Sequence, residues 1–298
     1  NYSFASDQVP APGQKHPILL KNCTIHPVSS EDIRGGSILF EKGIITGVAS
    51  RIANLPENTE IIDLKGKHVY PGMIAAASVI GLTEIGAVAV TRDFSERGEV
   101  NPNVRAEVAY NPDSEIIPVT RSNGITLAHS CPTGGIISGT SAIMMLDGWT
   151  WEKATLKAPA GLHINWPNMG AVRYRSHRVS EEDAAKRREE TLKKLDSAFD
   201  EARRYLVAKQ ADTGSGIIKH NKDLRWEAMV PVLNKEVPVF MHAGEIRQII
   251  SAVEWANRQN VKIVIVGGYD AWRVADLLNK YKIPVIYEGV NSLPRRRW

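Results

Sequence analysis

The sequence predicts an α/β protein in which a small all-β region precedes an alternation of strands and helices. From residue 17 to residue 70, apolar runs are short, separated by glycine and charge, and show no helical period. After Pro71-Gly72, strand-length apolar runs alternate with amphipathic segments, which is typical of an α/β sheet or of a barrel. The strand candidates of this second region are 125–128, 142–146, 161–164, 237–241, 261–266 and 283–287.

Composition excludes several classes of protein. The 298 residues are 43% hydrophobic and 23% charged, which is too apolar for a disordered chain. Lys plus Arg exceed Asp plus Glu by only 37 to 33, so a nucleic-acid partner is not indicated, and no apolar run approaches the ~18 residues of a membrane span. Two distant cysteines, Cys23 and Cys131, exclude a disulfide framework and a cysteine-based zinc site on count alone.

Residues 1–16 are polar and carry Pro10, Pro12 and Gly13, so we expect an N-terminal tether. Because the first residue is Asn1, the tether fits a chain exposed by processing, and we then expect a periplasmic or secreted location. The alternative is that the sequence begins partway along a longer chain, which leaves a cytoplasmic location open.

The first region has four strand candidates and one hairpin signal. Glu41-Lys42-Gly43 separates two apolar runs and places glycine where a tight turn needs a positive φ. We therefore predict a small β-domain over residues 17–70. Its strand candidates are 18–20, 37–40, 44–46 and 61–62.

The longest helix is predicted from Glu181 to about Gln210. Ser180 followed by Asp183 is a typical helix start, and a flexible connection is predicted at 212–222. The charged residues fall mostly opposite the apolar stripe, which favours a solvated surface over a nucleic-acid stripe. That stripe consists of Leu192, Leu195, Phe199, Ala202 and Leu206.

A family resemblance enters where the β-domain meets the second region. The segment concerned is Asp63-Leu64-Lys65-Gly66-Lys67-His68-Val69-Tyr70-Pro71-Gly72-Met73-Ile74. It resembles the barrel entry of the amidohydrolase superfamily, particularly of imidazolonepropionase-like members, and the likeness continues through 122–126, 134–165, 238–243 and 265–268. The resemblance implies a β-sandwich over 17–70, a (β/α)8 TIM-like barrel over 71–298, and metal-dependent hydrolysis of amide or cyclic amide carbon–nitrogen bonds.

The metal ligands that the resemblance implies are partly missing. The family's His-x-His pair on the first barrel strand falls on Ala77 and Val79, and its sixth-strand histidine on Gly267. The fifth-strand histidine is kept as His242, and the fourth-strand ligand falls near His163. The resemblance thus implies at most one divalent metal, zinc by analogy with the family, held by His242 and His163.

Candidate site residues follow the predicted strands, where barrel active sites are built. We predict His242, His163 and Asp270 as catalytic residues. His129, Glu245 and Glu288 are predicted to line a pocket for a small-molecule substrate. Each histidine could instead be a hydrogen-bonded structural residue, and each carboxylate could be merely solvated.

The strand count sets a further expectation. About seven barrel strands can be found before the sequence ends in Arg295-Arg296-Arg297-Trp298, so we expect the polypeptide, or a second chain, to supply an eighth strand. The family's eighth-strand aspartate would lie there too. We predict an amidohydrolase-like hydrolase, in a homo-oligomer or a larger assembly. The alternative is a non-catalytic barrel kept as a structural or binding subunit.

Overall fold

The computed structural model describes residues 9–170, 180–211 and 221–288. Part of the predicted tether, residues 212–220 of the predicted connection and the basic end of the sequence lie outside these ranges. The strands are β1 (Ile18–Ile25), β2 (Ile33–Glu41), β3 (Ile44–Ala49), β4 (Glu60–Asp63), β5 (His68–Val69), β6 (Met73–Ser78), β7 (Ile125–Ser130), β8 (Ile137–Met145), β9 (Thr155–Asn165), β10 (Val239–Ala243), β11 (Ile263–Gly267) and β12 (Val285–Tyr287). The α-helices are α1 (Ile116–Ser122), α2 (Trp151–Ala154), α3 (Glu181–Ala211), α4 (Leu224–Leu233), α5 (Ile246–Gln259) and α6 (Ala275–Lys280), with short 3₁₀ turns at Ala89–Thr91, Ala106–Ala109 and Ala271–Val274.

The first region forms a five-stranded sheet in the order β3-β2-β1-β4, with β5 also paired to β1. The predicted hairpin joins β2 to β3, and both Lys42 and Gly43 have positive φ, which matches the right-handed twist of the two strands. Cys23, Ile25 and Ile38 form its small core. Among the described residues this region is one sheet, and they do not include the second layer that a sandwich needs.

The second region forms a nearly closed sheet of seven strands in the order β12-β11-β10-β9-β8-β7-β6. The predicted number of barrel strands is therefore confirmed, but the all-parallel arrangement is wrong at one strand, because β8 pairs antiparallel with both β7 and β9. Only residues 131–136 connect β7 to β8, and a parallel crossover needs a dozen residues or more. The chain must turn back there.

Helices α3, α4 and α5 cover strands β9 to β11 and build the main core with them. The predicted start of α3 is confirmed, since Ser180 Oγ accepts a hydrogen bond from Asp183 N at 3.0 Å. Phe199 of α3 meets Trp255 of α5 edge to face, with ring centroids 4.9 Å apart. Through this contact the two helices hold the outer side of the strands whose inner side carries the site.

None of the helices in the described ranges combines the length and the apolar character that crossing a bilayer requires.

We predict that Phe199→Ala lowers the free energy of unfolding by about 3–5 kcal/mol. The Phe199 side chain has no exposed surface, so its removal leaves a cavity beside Trp255. Urea denaturation of the full chain measures this change. Val207→Ala on the same helix is the matched control, since Val207 is exposed, and we expect it to change stability by less than about 0.5 kcal/mol. Equal effects of the two variants would contradict the packing described.

Candidate functional site

Three histidines that are far apart in the sequence meet inside the seven-stranded sheet. His129 lies in β7, His163 in β9 and His242 in β10, each near the carboxyl end of its strand. The ring centroids of His129 and His163 are 5.6 Å apart, and those of His163 and His242 are 5.2 Å apart. We call these three side chains the imidazole cluster.

An aromatic ring packs between the imidazoles. Phe240 precedes His242 by two positions on β10, so both side chains leave the strand on the same face. Its ring stacks on His163 at 4.9 Å and 14°, and its centroid lies 4.6 Å from His129. Gly161 on β9 makes room, because a Cβ there would lie 2.5 Å from the Phe240 ring. The absence of a side chain at position 161 therefore allows the Phe240 ring to pack against the histidines.

Hydrogen bonds orient the cluster. His163 Nδ1 and His242 Nε2 are 2.9 Å apart and share one hydrogen bond. His129 Nε2 lies 2.8 Å from Ser141 Oγ, and the Ser141 hydroxyl donates to Gly161 O at 3.3 Å. His163 Nε2 is buried and has no hydrogen-bond partner among the described residues. One ring nitrogen is therefore left without a partner inside a closed environment.

Burial keeps all three rings neutral near pH 7. Loss of hydration lowers the pKa of His242 to about 4. The pKa of His129 falls to about 4 as well, through burial first and the charge of His242 second. Burial first, and the two neighbouring histidines second, lower the pKa of His163, which has no exposed surface, well below its usual range. The cluster consequently offers nitrogen lone pairs rather than positive charge.

The three predicted carboxylates have different surroundings. Glu288 follows β12, half-buried, and desolvation raises its pKa. Burial first, and the charge of Glu288 second, raise the pKa of the Cys131 thiol. Glu288 therefore lies near Cys131, which neighbours the imidazole cluster. Asp270 Oδ2 instead accepts from Ile246 N at 3.1 Å at the start of α5. Glu245 caps that helix, exchanging hydrogen bonds with Gln248.

Sequence reasoning missed Cys131, a buried neighbour of the cluster. One ring nitrogen of His129, one of His163 and Cys131 Sγ all lie within 4.8 Å of one another. The available signal was the His129-x-Cys131 spacing, since residues i and i+2 of an extended segment point the same way. Ser141 and Phe240 were also missed, because their roles depend on strand pairing rather than on any motif.

The comparison with solved structures finds a strong match. An amidohydrolase from Thermotoga maritima MSB8 superposes with a TM-score of 0.80 at 26% sequence identity, covering 94% of this chain and 72% of that protein. This likeness supports the amidohydrolase superfamily that the sequence resemblance indicated. No protein-family model matches it, and neither does any curated protein.

Two further structures align much more loosely with this chain. One is a prolidase complexed with N-methylphosphonate-L-proline, at 16% identity and a TM-score of 0.41, covering 91% of this chain and 66% of the prolidase, just under two thirds of its length. The other is guanine deaminase from C. acetobutylicum with bound guanine, at 16% identity and a TM-score of 0.35, covering 91% of this chain and 74% of the deaminase. These TM-scores are too low to support an inference about this chain.

We predict that the chelator-treated protein loses stability as pH falls from about 6.5 towards 4. The unfolded chain binds protons on His129 and His242 near pH 6.5, whereas the folded pKa values are about 4. Each group then costs about 2 kcal/mol at pH 5 relative to pH 8. Urea denaturation across this range measures the slope.

The slope should flatten in His129→Gln, which removes one buried imidazole but keeps a group able to hydrogen-bond Ser141. His16→Gln is the control, because His16 is largely solvated beside Glu60 and should leave the slope unchanged. A steep slope that persists in His129→Gln would show that the acid sensitivity comes from elsewhere.

Proposed function

We propose that this chain is a hydrolase that adds water across an amide or cyclic amide carbon–nitrogen bond of a small molecule, in the manner of imidazolonepropionase-like amidohydrolases. The observation that carries the proposal is the imidazole cluster. Three neutral imidazoles converge near the carboxyl ends of the strands, where barrel enzymes build their active sites. The Thermotoga relative with the same fold bears the name amidohydrolase.

His242 is the proposed proton acceptor for the attacking water. It is the member of the cluster with the most solvent access, and its ring is neutral. When His242 Nε2–H donates to His163 Nδ1, the Nδ1 lone pair of His242 is available without prior deprotonation. His163 holds His242 in place through the 2.9 Å hydrogen bond and is itself held against Phe240.

Glu288 is the proposed proton donor to the departing nitrogen. Its raised pKa brings the carboxyl closer to the working pH, as a general acid requires. His129 and Glu245 complete the substrate pocket in this proposal. Asp270 acts as a positioning residue, because its carboxylate fixes the start of α5 directly after the His242 strand.

The family's two-metal centre does not fit the side chains at the corresponding positions. Ala77, Val79 and Gly267 offer a methyl, an isopropyl and a hydrogen where the family has imidazoles, and none of these can bind a metal. No step of the proposed reaction therefore passes through that centre.

The same three positions favour a second candidate function, a non-catalytic barrel kept as a structural or binding subunit of a larger assembly. In that case the imidazole cluster is a polar core held by its own hydrogen bonds, with His163 bonded to His242 and His129 to Ser141. Activity measurements separate the two candidates.

We predict fewer than two tightly bound divalent ions per chain by elemental analysis of the native protein. We also predict that His242→Ala lowers hydrolysis of a panel of linear and cyclic amides by about 100-fold or more, the usual effect of losing a general base. Released amine or opened ring is measured for each substrate.

His16→Ala is the matched control, because it removes an imidazole at the surface of the first sheet and should leave hydrolysis unchanged. Two zinc ions per chain would overturn the assignment of the metal positions. A wild-type protein with no more turnover than His242→Ala on every substrate would favour the non-catalytic barrel.

A further inference from the structure

We infer that His129, Cys131 and His163 form a mononuclear zinc site. This site differs from the His163–His242 site that the family resemblance implies, because it shares only His163 with it. Its other two ligands are His129 of β7 and Cys131, the residue directly after that strand. It does not depend on whether the protein hydrolyses amides.

The geometry suits a small tetrahedral ion. The two ring nitrogens and Cys131 Sγ lie within 4.8 Å of one another. Zinc bonds of about 2.0–2.1 Å to nitrogen and 2.3 Å to sulfur place tetrahedral ligands about 3.3–3.6 Å apart. The three atoms must therefore close by about 1.2–1.5 Å at most, which side-chain rotations provide. All three side chains are buried, so the ligands are already gathered before an ion arrives.

A second, independent observation points to a ligand at this place. His163 has no exposed surface, yet its Nε2 has no hydrogen-bond partner among the described residues. Buried polar atoms are almost always hydrogen-bonded, because an unpaired one loses its hydrogen bonds to water and gains none in the protein. A zinc ion within reach of Nε2 supplies the missing partner.

The hydrogen bonds around the cluster leave the right lone pairs. The Ser141 hydroxyl donates to Gly161 O, so its oxygen accepts from His129 Nε2–H, and Nδ1 of neutral His129 keeps its lone pair. Either direction satisfies the hydrogen bond between His163 Nδ1 and His242 Nε2. Zinc binding selects the direction in which His163 Nδ1–H donates, because it leaves the His163 Nε2 lone pair for the metal. Zinc-binding histidines commonly hold their other ring nitrogen in this way.

The ligand set favours zinc. Two imidazoles and one thiolate match the mixed nitrogen and sulfur ligands that zinc accepts, and three protein ligands leave a fourth position for water. On binding, the Cys131 S–H bond breaks, its proton goes to solvent and the sulfur electron pair forms the Zn–S bond. The cysteine count of two does not exclude such a site, because it needs only one thiolate.

Cobalt titration of the full-length, chelator-stripped protein tests the inference. Co²⁺ takes the place of zinc and reports each bond to sulfur through a thiolate-to-cobalt absorption band in the near ultraviolet. We expect the band to saturate at one Co²⁺ per chain and to disappear when Zn²⁺ is added. Cys131→Ser should abolish it.

Cys23→Ser is the matched control, because Cys23 is equally buried but lies in the first sheet, where its thiol donates to Gly36 O. We expect it to keep the full band. A folded, stripped wild-type protein that shows no band, or a Cys131→Ser protein that keeps it, would overturn the site.

X-ray absorption of the zinc-loaded wild type needs no variant and covers the case in which Cys131→Ser does not fold. We expect one sulfur and two imidazoles around zinc. A shell of nitrogen and oxygen alone would overturn the inference. Neither measurement uses amide hydrolysis, so failure of the proposed enzyme activity and failure of this site are distinguishable.

Discussion

The hydrogen bond between His163 and His242 is the interaction on which the rest of the site depends. It joins β9 to β10 inside the sheet and satisfies one nitrogen of a side chain that is cut off from water. A buried imidazole must be neutral and must find partners for its polar atoms, so its neighbours are constrained in turn. Phe240 packs on one face of the His163 ring, and Gly161 stays without a side chain to admit that packing.

The outer layer of the protein fixes the positions of these strands. Strand β10 lies parallel to β9 in a register that pairs Phe240 with His163, and this register sets which side chains are neighbours within the sheet. The segment after β10 passes directly into α5, whose start is held by Glu245, Gln248 and Asp270. Glu245, which was predicted to line a pocket, and Asp270, which was predicted to be catalytic, thus hold the helix that follows His242.

Features set by short stretches of sequence could be predicted, and features set by pairing between distant strands could not. The start of α3 at Ser180 and the turn at Gly43 depend on a few adjacent residues, so both could be predicted from the sequence. The three histidines could be placed near strand ends for the same reason. The contact of His163 with His242, however, joins residues 79 positions apart and depends on the register of β9 and β10. The direction of β8 could not be predicted either, because the predicted strands 125–128 and 142–146 left residues 129–141 between them, enough for a parallel crossover, whereas the observed connection is only 131–136.

Strand β8 lies between β7 and β9, and a small residue on it allows side chains of those two strands to meet. These two strands are not neighbours, and strands two apart in a sheet are separated by about 9–10 Å. Ser141 of β8 lies between them, and its short side chain bonds to His129 on one side and to the Gly161 carbonyl on the other. A large side chain at 141 would fill the space over which the His129 and His163 rings approach to 5.6 Å. A hydroxyl there leaves the rings in contact and fixes the tautomer of His129, so one small residue on the intervening strand allows the cluster to form.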